Sequence, residues 1–160
     1  MIWLKRKMLD MWKKLDIGCG NFPREGFTGI DRCSNVDKDV FAWNLEFGLP
    51  PYIKEEVEVI WADNVLEHIT NLIHLMNSCW TAMVPGGRMH IKVPLANTVG
   101  SLKDPTHVRQ FVPESFDYFD LAWDYPRQPD YGIEKWKVIQ KELEVESEDY
   151  KYLYVILEKP

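Results

Sequence analysis

Three short stretches of the chain carry residue types suited to ligand chemistry. The first is Asp16-Ile17-Gly18-Cys19-Gly20-Asn21. Its two glycines let the backbone bend sharply and come close to a bound molecule. The second is Gly29-Ile30-Asp31, whose carboxylate follows Gly20 by eleven residues. An acid at a strand end is where nucleotide-binding sheets hold a ribose diol. The third is a pair of histidines, His68 in Leu66-Glu67-His68 and His107 in Asp104-Pro105-Thr106-His107-Val108-Arg109. An unperturbed imidazole titrates near ~6.5, which suits removal of a hydroxyl proton. Glycine turn and acid together point to an adenosine-containing ligand. Each piece also has a plainer reading: a tight turn at Gly-x-Gly, a turn at Asp31, a loop-orienting His68, and a turn at Asp104-Pro105-Thr106.

Other chemistries lack their residues. A dinucleotide site wants a third glycine where Pro23 stands, and a phosphate loop wants a Lys-Ser/Thr pair after its glycines; both are absent. No His, Cys and acid grouping has metal-ligand spacing along the sequence. His74 and His90 fall on a helix and a strand and read as structural. Trp123, Tyr125 and Tyr131 read as packing groups, with an acceptor wall as the alternative.

The elements that must position these residues follow a strand–crossover pattern. Strands are expected over 12–17, 27–30, 40–43 and 57–62. Leu66, Ile69, Leu72, Ile73, Met76, Trp80 and Met83 recur at helical spacing, which predicts an amphipathic helix of about four to five turns. Pro85-Gly86-Gly87 is expected to stop it. A fifth strand then covers 88–93, residues 95–112 are loop, and Pro113 opens a short helix through Phe119. Strands over 135–145 and 152–158 flank a polar turn. The order predicts an α/β fold: a mostly parallel sheet with helices on its faces and one antiparallel strand in a closing hairpin. In such a sheet, ligands bind beyond the carboxyl ends of the strands. One linker resists, because Gly20 to Phe27 is too short for a crossover helix.

The chain has 160 residues, 46% of them hydrophobic and 28% charged, which predicts one domain over 1–160. A net charge of −6 disfavours a surface built to hold duplex nucleic acid. Cys19, Cys33 and Cys79 are far apart and read as reduced thiols of a cytoplasmic protein. No apolar run approaches the ~20 residues of a membrane span. The basic, mildly amphipathic opening is a poor signal peptide and predicts a leading helix or arm over 1–11.

The segments LDIGCGNFP, GFTGIDR, WNLEFGLP, VIWADNVLEHI, MVPGGRMHIKVP and DPTHVRQFVPESFDYF occur in that order. On this series the chain resembles the class I S-adenosylmethionine-dependent methyltransferases over residues 12–119. More narrowly it is similar to a small branch with a short L-x-(G/I)-C-G-N-x-P loop, in which the first crossover is curtailed. The resemblance implies a Rossmann-like fold with seven strands in the order 3-2-1-4-5-7-6 and S-adenosyl-L-methionine as cofactor. It implies that Asp16, Gly18, Cys19, Gly20 and Asn21 wrap the methionine part. Asp31 would hold the ribose hydroxyls, with Arg32, Asn44 and Leu45 around the adenine. Asp63 and Asn64 would stand beside the sulfonium. Many relatives carry Asp at position 44 and a third glycine where Phe22 stands.

His107 and His68 are then the catalytic candidates, and Arg109 and Asp104 the acceptor contacts, with 95–133 as the acceptor side. The expected reaction is methyl transfer to a small-molecule or glycan-type acceptor, through a hydroxyl. Leu49-Pro50-Pro51-Tyr52 precedes the fourth strand and lacks the polar first residue of base-methylating enzymes. A nucleic-acid or protein acceptor, guided by Lys5, Arg6, Lys7, Lys13 and Lys14, is the second reading. A non-catalytic cofactor-binding subunit, its wall completed by a second copy or a partner, is the third.

Overall fold

A computed structural model describes residues 11–32, 39–123 and 131–160. The leading arm over 1–10, Cys33 and Tyr125 lie outside the described residues. The strands are β1 (Lys14–Ile17), β2 (Thr28–Asp31), β3 (Val40–Ala42), β4 (Val57–Asp63), β5 (Met83–Pro94), β6 (Lys137–Val145) and β7 (Lys151–Glu158). They form one seven-stranded sheet in the order β3-β2-β1-β4-β5-β7-β6. The first five pair in parallel, and β7 runs antiparallel to both β5 and β6. The sheet order and the closing hairpin match the sequence expectation. No helix among the described residues is long and apolar enough to cross a membrane.

The short linker is a trimmed crossover. The chain passes from β1 to the adjacent β2 through turns, without a helix. Arg24 N–H donates to Asp16 Oδ2 at 2.8 Å and pins this loop over the strand end.

The helix after β4 departs from its expected extent. Instead of running from Leu66, it is split into a 3-10 turn (Leu66–His68) and α1 (Leu72–Ala82). The intervening backbone groups are taken by other segments. Glu46 accepts from the N–H groups of Thr70 and Asn71 at 2.8 and 3.1 Å. Arg109 donates to the carbonyls of Ile69 and Thr70 at 2.8 and 2.7 Å. Side-chain partners thus replace the helical bonds at a place where hydrophobic spacing alone continues the helix.

Pro85-Gly86-Gly87 also behaves differently from its expected role. It lies inside β5, where the register jumps from Val57 opposite Met83 to Val59 opposite Arg88. Gly86, at φ 78°, turns the extra residues out as a bulge.

Among the described residues, helical cover packs against one face of the sheet. Ile60 and Ala62, Met89 and Ile91, and Leu153 and Val155 point to a core shared with Leu75, Met76 and Cys79 of α1. Phe116 and Phe119 of the 3-10 segment Pro113–Phe119 join the same core. The alternate residues Val59, Trp61, His90, Lys92 and Tyr154 are half-buried. That alternation sets a fully buried face against a less buried one among the described residues.

Leu75 is fully buried, so Leu75→Ala is expected to lower stability by about 2–5 kcal/mol in urea unfolding. Glu46 is held below its ordinary carboxylate range, first by the Thr70 N–H. Its contribution is therefore present above pH ~4.5 and fades as pH falls through the lower folded-state value. Wild type is expected to melt above Glu46→Gln near pH ~7, with the gap closing towards pH ~3. A pH-independent gap would contradict this role.

Candidate active site

The glycine turn after β1 has two different tasks. Gly18, at φ 68°, donates its N–H to Ile30 O at 2.7 Å. A Cβ at this position would lie 2.3 Å from Val65 Cγ2, so close packing against the residues after β4 requires glycine. Gly20, at φ 57°, would place a Cβ with no protein atom within 4 Å. Its backbone instead borders a cavity of about 490 Å3, within the roughly 300–1,000 Å3 usual for small-molecule sites. Gly20 N–H donates to Asp31 Oδ2 at 2.9 Å, so the acid at the end of β2 fixes the turn and faces the same cavity.

Arg32, Asn44, Leu45, Asn64 and His68 complete the expected residues in that wall. Asn44 Oδ1 also caps the 3-10 turn Leu45–Phe47 by accepting from Glu46 N–H at 3.1 Å. Capping accounts for a short polar side chain here without a negative charge. Asn64 reaches the wall from a left-handed backbone at φ 52°.

Four of the expected cofactor residues stand behind or outside the wall. Asp16 is buried and spends Oδ2 on the Arg24 N–H; burial raises its pKa. The Cys19 thiol packs towards Gly29, and burial pushes it up to about 11, which keeps it neutral. Asn21 is exposed beyond the cavity. Asp63 pairs with the Arg24 guanidinium at 2.8 Å and accepts from Asn64 Nδ2 at 2.8 Å. Arg24, stacked 3.9 Å over Trp61, is a site-organising residue that sequence spacing did not single out. It closes the trimmed crossover onto the end of β4, a contact between residues 39 apart.

On the other side of Asn64 and His68 lies a smaller hollow of about 190 Å3. His68, His107 and Asp104 all border it. The His107 ring packs edge-on against His68 with centroids 4.7 Å apart. Thr106 Oγ1 lies 2.6 Å from Asp104 Oδ1 and 2.9 Å from His68 Nδ1. The Thr106 hydroxyl also holds the Asp104 carboxyl below its ordinary range. His107 Nδ1 lies 2.9 Å from the carbonyl of Ser101. Glu67, which no sequence signal singles out, is buried in this wall beside both rings. Burial pushes its carboxyl up to about 7, with the dipole of its own backbone N–H and the His107 ring pulling the other way.

Arg109 does not border either hollow. Its guanidinium is committed to the Ile69 and Thr70 carbonyls, as described above. His90 stacks on Trp61 and meets Tyr154 Oη at 2.6 Å, on the half-buried sheet face. Trp123 and Tyr131 cluster around Tyr118, apart from both hollows. A further hollow of about 540 Å3, mainly apolar, lies between Pro50-Pro51 and α1.

Solved structures settle the architecture. The fold is that of the class I methyltransferases. A SAM-dependent methyltransferase from Archaeoglobus fulgidus superposes with a TM-score of 0.64 at 15% identity, over 99% of this chain and 92% of the other. The 1,6-didemethyltoxoflavin-N1-methyltransferase of Burkholderia thailandensis, solved with its substrate and S-adenosylhomocysteine, gives 0.64 at 12% identity over 91% and 70%. A 16S rRNA (adenine(1408)-N(1))-methyltransferase variant from Catenulisporales acidiphilia gives 0.62 at 11% identity over 99% and 90%. No protein-family model matches the chain, and no curated protein matches it. At these identities the likeness establishes the fold, which by itself does not fix a substrate.

Gly18→Ala is expected to destabilise the protein by more than about 1 kcal/mol, through its clash with Val65 and its left-handed backbone. Val65→Ala in the same chain should recover only the part due to the clash. Arg109→Lys is expected to cost about 1–3 kcal/mol in chemical unfolding, because an ammonium cannot reproduce the planar fork. An unchanged midpoint for Arg109→Lys would contradict the structural role.

Proposed function

We propose that the chain is an S-adenosylmethionine-dependent methyltransferase acting on the hydroxyl of a small-molecule or glycan-type acceptor. The observation that carries the reading is the adjacency of two hollows that share Asn64 and His68 as a common wall. One is walled by the open Gly20 turn and Asp31, the other by His68 and His107. The donor set of the larger hollow fits an adenosine ligand. A carboxylate stands at the end of β2, and a glycine turn leaves room where a side chain would protrude.

When bound, S-adenosylmethionine supplies a methyl group that is already electrophilic, so the hard chemistry is the cofactor's. The work left to this chain is placement and proton handling. Asp31 would accept from the ribose hydroxyls, with Arg32, Asn44 and Leu45 along the base. Gly18, Gly20 and Asn64 would border the methionine part. Asp16, Cys19 and Asp63 contribute by holding the loop and the strand ends, and Asn21 lies outside the cavity wall. His68 and His107 would meet the acceptor, each offering a ring nitrogen to its hydroxyl proton. Asp104 would act through Thr106, and Arg109 by holding the loop that presents His107.

The net charge of −6 and the narrowness of the acceptor hollow favour a small acceptor over a polyanion. The short-loop branch of the family accords with the helix-free passage between β1 and β2. Calorimetric titration with S-adenosylmethionine and S-adenosylhomocysteine is expected to give micromolar binding to both. Asp31→Ala should weaken it at least about tenfold, the loss of a charge-assisted hydrogen bond. No binding at millimolar ligand would overturn the reading. Turnover confined to DNA, RNA or protein, across a panel that includes sugars, nucleotides and phenols, would overturn the acceptor class.

A further inference from the structure

Glu67 poses a problem that the fold alone does not solve. It is 1% exposed, and neither carboxyl oxygen has a hydrogen-bond partner. A buried, unsatisfied carboxyl is costly and is retained where something else meets it, such as an ion. Its neighbours narrow the choice. One carboxyl oxygen of Glu67 and one ring nitrogen each of His68 and His107 all lie within 4.8 Å of one another. His107 Nε2 is 3.9 Å from Glu67 Oε1 and 3.9 Å from Asp104 Oδ2. These separations are too long for direct hydrogen bonds. A tetrahedral ion with bonds of about 2.0–2.2 Å sets its ligand atoms about 3.3–3.6 Å apart, so a side-chain shift of a few tenths of an ångström brings these atoms into ligand range.

The hydrogen bonds behind the rings assign their tautomers. The Ser101 carbonyl can only accept, so His107 Nδ1 carries the proton and Nε2 keeps its lone pair. The Thr106 hydroxyl has one hydrogen, and it donates to the Asp104 carboxylate. Thr106 Oγ1 therefore accepts from His68 Nδ1–H, and His68 Nε2 is also left with its lone pair. An imidazole whose second nitrogen donates to a carbonyl, or to a relay ending in a carboxylate, is the usual state of a histidine that binds metal. Two rings and a carboxylate, with Asp104 in reach, match a first-row divalent transition ion and are a poor match for Ca2+ or Mg2+. Along the sequence the set is hidden, because His107 is contributed by a loop that follows a different strand.

We propose that Glu67, His68 and His107 form a binding site for a first-row divalent transition-metal ion such as Zn2+. Three protein ligands leave coordination positions open towards the 190 Å3 hollow. The role of the site rests on the proposed function and deepens it: in the loaded protein the imidazole lone pairs would hold the cation, and the rings would position it instead of taking the hydroxyl proton themselves. The cation then lowers the pKa of an acceptor hydroxyl bound to it, and the released proton passes to solvent. Metal binding itself does not depend on that reading.

The test is titration of the full chain, stripped with a chelator, by Zn2+ in a calorimeter and by Co2+ followed through its visible d–d absorption. One equivalent is expected to bind, with intense Co2+ bands of a low-coordinate nitrogen and oxygen site. Glu67→Gln and His107→Gln should abolish the high-affinity phase, and Thr106→Val should weaken it about 10- to 100-fold by freeing His68. His74→Gln, on the exposed side of α1, should bind as wild type does. Far-ultraviolet circular dichroism of each variant, with His107→Gln as the second ligand variant should Glu67→Gln not fold, keeps the result separate from misfolding. No saturable binding, or binding unchanged in a folded ligand variant, overturns the site. Running S-adenosylhomocysteine calorimetry on the same stripped protein separates the two readings: nucleoside binding without metal binding removes only the metal site.

Discussion

The arrangement around Ile69, Thr70 and Asn71 is the contact on which both hollows depend. Glu46 follows β3, Arg109 follows β5, and the backbone they share follows β4. Opposite charges on separate segments grip the N–H and C=O groups of one short stretch. The grip ends the 3-10 turn that carries His68 and starts α1 four residues later, at Leu72. It also holds the loop bearing Thr106 and His107 beside that turn; Val108 N–H donates to Glu67 O at 2.9 Å in the same place. Local preference favours a break at the same place, since Asn71 is the N-cap of α1, and the grip fixes the backbone around it.

The sheet supplies the other constraint. Parallel pairing sets Ile17 beside Ile30 and Ala62, so the turns after β1, β2 and β4 emerge together. The absence of a crossover helix between β1 and β2 brings Arg24 back over Trp61 and Asp63. A charged residue from the loop thus covers sheet that a helix would otherwise pack upon. The core is carried by the opposite face, against α1 and the aromatic rings of Phe116 and Phe119.

The strand order enters only through the family resemblance, whereas the parallel α/β pattern, the closing hairpin and the glycine turn are legible in the sequence because they rest on short-range signals. These are apolar runs ended by Gly or Asp, and turn residues at fixed offsets. Gly20, Asp31 and Asn44, which line the cavity, are legible for the same reason: each ends a strand or lies within a few residues of a strand end. The split helix is not, since Ile69 and Leu72 keep helical spacing while partners over twenty residues away capture the backbone between them. The position of Arg109 after the fifth strand, in the segment that carries His107, suggests an acceptor contact, yet its guanidinium is committed to the Ile69 and Thr70 carbonyls. Glu67 was overlooked because a single Glu in a helical-looking run gives no sign that it is buried. Its environment is made by a loop that approaches from the next crossover.

The central claim is that an adenosine ligand binds beyond β1 and β2, and not in the more apolar hollow between Pro50-Pro51 and α1. Amide chemical shifts of 15N-labelled protein titrated with S-adenosylhomocysteine locate the ligand directly. The account predicts saturable shifts at Gly20, Asp31, Arg32 and Asn44, with Lys54, Asn77 and Thr81 unmoved. Shifts confined to the latter group, or none at all, would contradict it.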